Sequence, residues 1–230
     1  MYIKVDGYEF PMIRIQNEWD ITYQEFYIGN PKCKPKPCIT ISVYNNTDAI
    51  LQNIIYFKNC NVTKKSFERG SGGMHILVKA SLKWLFKEYP KLKKILFTDN
   101  SYYGEDISLP EKMVLTEGQT WYMKYFGAKP SGIKTKLILQ QFLNIYNKDK
   151  SKFIKLQEPS WKNKNISETL KEYNGYLQNK RLMDSEWYIS RETIETYDID
   201  PFLINEQHGG ENKLHTIINN IPRPKIRTIN

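Results

Sequence analysis

The sequence predicts a mixed α/β fold: a mixed β-sheet flanked by helices, followed by a helical and irregular C-terminal extension. Three observations point there. The N-terminal third is rich in β-branched and aromatic residues broken by turn clusters. The stretch "FERGSGGM", residues 67–74, opens the clearest amphipathic helix of the chain. A short apolar run, "KKILFTD", then follows at residues 93–99. Strand, glycine segment, helix and strand make a βαβ unit, whose crossover requires the flanking strands to be parallel.

The elements follow in order. "YEFPMIRI" and "DITYQEFYIG" read as strands, the second closed by Gly29-Asn30-Pro31. "CITISVY" is a compact strand that stops at the turn cluster Asn45-Asn46-Thr47-Asp48. "AILQNIIYFKNCNV" returns from it, so the two pair as an antiparallel hairpin. After the glycines, Met74, Leu77, Val78, Leu82, Leu85, Phe86 and Tyr89 fall on one helical face, with Lys79, Lys83 and Lys87 on the other, facing water. Pro90 ends the helix, because the residue before proline is pushed out of the α region. "NSYYGEDISLPEK" reads as an irregular insertion, and a helix is expected around 119–125, closed by Gly127. "TKLILQQFLNIYNK" is a further helix with Ile138, Leu139, Phe142, Leu143 and Tyr146 on one side. From about residue 151 the texture becomes lysine-rich and linker-like. A helix is expected over "NISETLKEYNGYLQ", where Asn165 and Glu168 are spaced as a capping box. After residue 198 the periodic signals fade.

Bulk properties exclude several classes. With 230 residues, 40% hydrophobic and 13% aromatic, the chain can bury a sizeable core and is not disordered over most of its length. No apolar run approaches the roughly 18 residues that span a bilayer, so no membrane partner is expected. The opening "MYIKVDGYEF" has no secretory core, which favours a cytoplasmic protein. The formal charge is +9, but Lys and Arg are spread along the whole sequence. Such a balance allows weak, salt-sensitive attraction to nucleic acid or acidic partners, and equally describes a solvated lysine surface. Cys33, Cys38 and Cys60 give an odd count, which favours free buried thiols in a reducing compartment. Cys33 and Cys38 flank "KPKP" at a spacing too wide for a zinc knuckle, and neither His208 nor His215 completes one, so no metal is expected.

The glycine segment carries the most chemistry. The first turn of a helix leaves backbone N–H groups unpaired and bears partial positive charge. Glycines there let an anion come close to the backbone, the common way of holding a phosphate. The segment lacks both the Lys-Ser/Thr ending of a P-loop and the spacing of a dinucleotide fingerprint. A plain strand-to-helix turn is the alternative.

Arg69-Gly70-Ser71-Gly72-Gly73-Met74 resembles the pyrophosphate-loop pattern Arg/Gln-x-x-Gly-x-Gly/Ala of the GNAT superfamily of acyl-CoA-dependent N-acyltransferases, with Met74 in place of the last small residue. Some fifty residues on, "TWYMKYFGAKP" is similar to that family's tyrosine-bearing helix end. Over residues 40–130 the chain resembles the diverged GNAT-like proteins of large nucleocytoplasmic DNA viruses. The resemblance implies a GNAT-like acyl-CoA-binding domain over 1–150, an extension over 151–230, and a location in host cytoplasm or virion. It implies that the amides from Arg69 to Met74 hold the pyrophosphate of acetyl-CoA. The pantetheine arm then lies along the splayed strand ending near Cys60 and Asn61. Tyr122 matches the tyrosine that protonates the departing thiolate, a role suited to a phenol that keeps its proton at neutral pH. Its alternative is packing beside Trp121 and Phe126.

The amine acceptor is unspecified. No family-style general base is evident on the strands before the loop; Glu68 and Asp99 qualify by neighbourhood only. After Pro130 the sequence places a helix where the family has two closing strands, leaving "SEWYISRETIETYD" to supply one. Two other readings stand beside the transferase. One is a catalytically inactive scaffold that grips a protein partner through its C-terminal extension. The other is a nucleic-acid-binding module driven by charge.

Overall fold

The computed structural model describes residues 1–16, 20, 22–29, 37–55, 60–63, 65–67, 71–103, 107–154 and 181–204. The sheet begins with β1 (Tyr2–Val5), β2 (Tyr8–Gln16) and β3 (Tyr23–Ile28), then the hairpin of β4 (Ile39–Tyr44) and β5 (Asp48–Ile54). Helix α1 (Gly73–Glu88) crosses over to β6 (Lys94–Thr98). A small hairpin, β7 (Tyr102–Tyr103) and β8 (Ile107–Ser108), leads into α2 (Leu109–Glu117), α3 (Trp121–Phe126) and β9 (Lys129–Pro130). The long α4 (Ile133–Ile154) precedes β10 (Glu186–Ser190), α5 (Arg191–Glu195) and β11 (Phe202–Ile204). Strand order across the nine-stranded sheet is β11-β1-β2-β3-β4-β5-β6-β10-β9. The pair β5–β6 is parallel, as the βαβ unit requires, and the other described pairs are antiparallel.

Turn chemistry fixes the register locally. Asn45 and Asn46 both take positive φ, 51° and 59°, between β4 and β5. Asn tolerates that region better than other residues with a Cβ, so the predicted turn cluster reverses the chain there. Asp6 and Gly7, at φ 49° and 79°, do the same between β1 and β2.

One cross-strand row defines the core. Phe26, Ile41, Leu51, Phe97 and Trp187 are successive register partners across β3, β4, β5, β6 and β10, all on one face and all buried. Helix α1 covers this face, and its Trp84 ring meets Phe26 edge-on at 5.0 Å. The predicted apolar face of α1 is buried from Leu77 through Phe86. Its lysine face differs from expectation. Lys83 Nζ donates to the Tyr197 carbonyl at 2.6 Å, and Lys79 Nζ lies 5.2 Å from the Tyr197 ring centre. The segment after α5 lies across that face, so only Lys87 of the three is exposed.

Residues counted by sequence with the extension thus belong to the sheet. β10 inserts between β6 and β9, and β11 pairs with β1 after the point where periodic signals fade. Arg191 secures the return. Its guanidinium donates to the carbonyls of Phe86, Tyr89, Pro90 and Leu92 at 2.8–3.0 Å, gathering carbonyls of the last turn of α1 and of the turn that follows it. Helix α2 also departs from expectation, since the sequence reads its segment as irregular. The helix expected over 165–178 lies outside the described residues.

The cysteines overturn the free-thiol expectation. Cys38 and Cys60 form a disulfide, both fully buried. A Cβ on Gly29 would lie 2.8 Å from that of Cys38, so glycine is required where β3 ends against the bridge. Among the described residues no helix is long and apolar enough to cross a membrane, and no group of His, Cys, Asp or Glu has the makings of a metal site.

The bridge joins residues 22 apart in sequence. Restricting an unfolded chain over such a loop is worth about 3 kcal/mol. Reduction should therefore lower unfolding stability by about that amount, read from urea titrations with and without reductant. Thiol counting in denaturant without reductant should find one reactive cysteine per chain, Cys33.

Candidate functional site

The parallel pair is short. Ala49, Ile50 and Leu51 match Ile95, Leu96 and Phe97, and the match ends there. Along β4, Thr40 faces Asn53 while Ile41 faces Leu51, so Gln52 is an extra residue, a β-bulge. A bulge bends its strand and increases the local twist. Beyond it β5 follows β4 to Ile54, while β6 follows β10 through Thr98. The two strands part, leaving the β6 side of Gln52 and Asn53 unpaired, and both residues are exposed. Because β5 and β6 run the same way, their carboxyl ends and the N-terminus of α1 lie at one end of the sheet. Crevices outside the carboxyl ends of parallel strands are the usual ligand sites of α/β folds.

The glycine segment starts α1 at the same end of the sheet, and its residues have different tasks. Gly72 is the N-cap of α1 at φ 80°, with open space where a side chain would stand. Its carbonyl accepts from His75 N at 3.0 Å and Ile76 N at 3.2 Å. Gly73 is buried, and a Cβ there would lie 2.5 Å from the Phe67 ring. Its missing side chain makes room for the protein's own phenylalanine. Ser71 Oγ accepts from Gly73 N at 3.3 Å, and Met74 packs half-buried against the core. Glu68, Arg69 and Gly70 lie outside the described residues. The landmarks Cys60 and Asn61 are structural: Cys60 is in the disulfide, and Asn61 Oδ1 accepts from Glu9 N at 2.9 Å on β2. The fork instead opens at Gln52.

Tyr122 stands at the mouth of the fork. The Thr120 side chain caps α3 by accepting from Met123 N, and Gly127 closes it at φ 60°, as its position in sequence predicts. The Tyr122 ring centre is 4.5 Å from that of Phe97, the last β6 residue matched to β5, and 5.0 Å from Trp121. Burial pushes the Tyr122 phenol well above its ordinary range, and the Asp99 carboxylate pushes the same way.

Asp99 is the residue that sequence reading undervalued. It follows the end of β6 and is 2% exposed. Oδ1 accepts from the Ser101 amide at 3.1 Å and from the Ser101 hydroxyl, while Oδ2 has no partner among the described residues. Burial raises the carboxyl above its ordinary 3.8, and the Ser101 bonds offset part of this. The backbone of Asp99 continues the ladder with the turn before β10, through Ser185 O at 3.4 Å and Asp184 N at 3.3 Å. Glu111 holds that turn in place, its Oε1 accepting from Leu182 N at 3.0 Å. Trp187, fully buried in β10 opposite Phe97, has an indole Nε1 with no acceptor. His75 in the first turn of α1 stacks on Tyr125 at 4.1 Å, and burial lowers its pKa.

Two substitutions test this geometry. Gly73→Ala should destabilise the protein by about 2 kcal/mol through overpacking, and trimming Phe67 to Leu in the same chain should restore part of it, a coupling visible in a double-mutant cycle. Asp99→Asn should raise stability at neutral pH. A carboxyl whose folded-state pKa is raised is harmless below its unfolded value of 3.8 and loses stability as pH climbs toward the folded value. The advantage of Asn over Asp should therefore be absent near pH 3.8 and open as pH rises, measured by denaturant unfolding across that range.

No family model, no curated protein and no solved structure matches this chain.

Proposed function

We propose that the chain is an acyl-CoA-dependent N-acetyltransferase of GNAT type, binding acetyl-CoA in the fork between β5 and β6. The carrying observation is the parting of these strands at Leu51 and Phe97, with Tyr122 packed on Phe97 where they separate. Three further features support the reading. A side chain at Gly72 would stand in open space beside the start of α1, whose partial positive charge favours a pyrophosphate, with Ser71 Oγ already accepting from Gly73 N. The unpaired edge of β5 past the bulge offers main-chain groups to an extended amide-bearing arm, as a sheet edge does to an added strand. The closing strands that the resemblance calls for have counterparts in β9 and β10.

In this reading the pantetheine arm lies along β5 and brings its thioester to the fork. The amine attacks the carbonyl carbon directly, the C–S bond breaks, and Tyr122 hands its proton to the departing thiolate. A phenol keeps its proton at neutral pH and can donate it as negative charge develops on sulfur, with the surplus proton on nitrogen replacing it.

Titration calorimetry with acetyl-CoA tests the reading, with binding expected in the micromolar range. Tyr122→Phe should leave that binding in place and lower the rate of thiol release in the presence of amine by about 10²-fold. Absence of heat with excess acetyl-CoA would remove the proposal.

A further inference from the structure

We infer that Asp99 is the general base of the site and that its unpartnered oxygen receives the ammonium group of a primary amine acceptor. This rests on the acyl-CoA reading and adds the residue that takes the amine's proton.

Two buried polar atoms near Phe97 lack a partner among the described residues. Nearly all buried polar atoms in folded proteins have a hydrogen-bond partner, and a carboxylate oxygen without one costs several kcal/mol. Asp99 Oδ2 is such an acceptor, and Trp187 Nε1 is such a donor. They are neighbours by register. Trp187 faces Phe97 and Ser185 pairs with Asp99, so the two residues sit diagonally on adjacent strands. Both belong to the side of the sheet that carries Phe97, on which the Tyr122 ring packs. A buried acceptor and a buried donor left without partners on adjacent strands point to a group outside the protein that completes them.

The chemistry of that guest follows from the groups. An oxygen whose sister atom is already held by Ser101 presents its remaining lone pairs in a fixed direction, suited to a cationic donor. An ammonium group supplies the charge and protons it lacks. The Trp187 N–H suits an acceptor such as the thioester carbonyl oxygen.

The step balances as follows. Asp99 takes one proton from the ammonium, freeing the nitrogen lone pair. That pair forms the C–N bond, and the C–S bond breaks with its electrons leaving on sulfur. Tyr122 protonates the thiolate and is restored by the surplus proton on nitrogen. The products are an amide, free CoA and the proton on Asp99, which passes to solvent. Burial helps, because a carboxyl with a raised pKa holds that proton better than an exposed aspartate would.

The experiment uses the full chain, wild type and Asp99→Asn, with acetyl-CoA and three acceptors: spermidine, a lysine-containing peptide, and hydroxylamine, which is uncharged at neutral pH. Asp99→Asn should bind acetyl-CoA within about twofold of wild type and lose about 10²-fold or more in transfer to spermidine or peptide. Its transfer to hydroxylamine, which needs no deprotonation, should fall far less. A structural role for Asp99 would not separate the two kinds of nucleophile. Equal loss with all acceptors, or transfer to alkylamines within threefold of wild type, overturns the assignment while leaving the acyl-CoA reading intact. Wild type that binds acetyl-CoA but acylates no amine overturns both the assignment and the transferase activity, leaving cofactor binding alone. Wild type that does not bind acetyl-CoA removes both. If Asp99→Asn does not fold, Asp99→Ser gives the same ratio, and failure of both to fold makes Asp99 structural and ends the proposal.

Discussion

Everything at the functional end of this molecule depends on a parallel strand pair that is only three residues deep. One extra residue, Gln52, interrupts the ladder between β4 and β5, and a strand that bends at a bulge cannot stay in register with neighbours on both sides. β5 stays with β4, β6 stays with β10, and their mutual pairing ends at Leu51 and Phe97. The opening is built from backbone alone, so it survives in a sheet whose remaining pairs are continuous.

The closure of the sheet on the far side of β6 makes that opening tolerable. A sheet that ended at β6 would have Phe97 and Asp99 at its edge, exposed to water. β10 covers the edge, brings Trp187 onto Phe97, and carries Arg191 back to the end of α1. Helix α1 is thus held at its C-terminus by a residue more than a hundred positions away. Its N-terminus is held by the packing of Phe67 against Gly73 and, further back, by a disulfide that fixes where the connection leaves the hairpin. Rigid supports at both ends leave the first turn with little freedom, which suits a site that must present backbone groups in one geometry.

Unsatisfied groups are most informative in a well-satisfied interior. Glu111, equally a buried carboxyl, spends its oxygens on the amide of Leu182 and on the turn that feeds β10. Asp99, whose backbone pairs with Ser185 and Asp184 of that turn, keeps one oxygen without a partner among the described residues. The contrast separates a carboxylate that builds the fold from one available for chemistry, and the sequence presents them as the same kind of residue.

Local rules carried much of the architecture. The helical spacing from Met74 to Tyr89, the turn at Asn45-Asn46, the glycine closing α3 and the parallel crossover all follow from periodicities and dihedral preferences acting within a few residues. Other local signals were also present. Asp6-Gly7 announces the β1–β2 hairpin, and Ser108-Leu109-Pro110-Glu111 has the spacing of a capping box at the start of α2, although its glutamate turns instead to Leu182. The loop-bearing glycines and Tyr122 could be picked out as a site because their chemistry is unusual for their neighbourhood. What no local rule contains is which distant segment covers a strand edge or a helix face. The seat of β10, the contacts of Lys79 and Lys83 with Tyr197, the pairing of Cys38 with Cys60, and the isolation of Asp99 Oδ2 among the described residues all arise between residues far apart in sequence. The sequence determined the elements and the groups that can do chemistry. Burial, which depends on the whole packed chain, decided which of those groups were left without a partner.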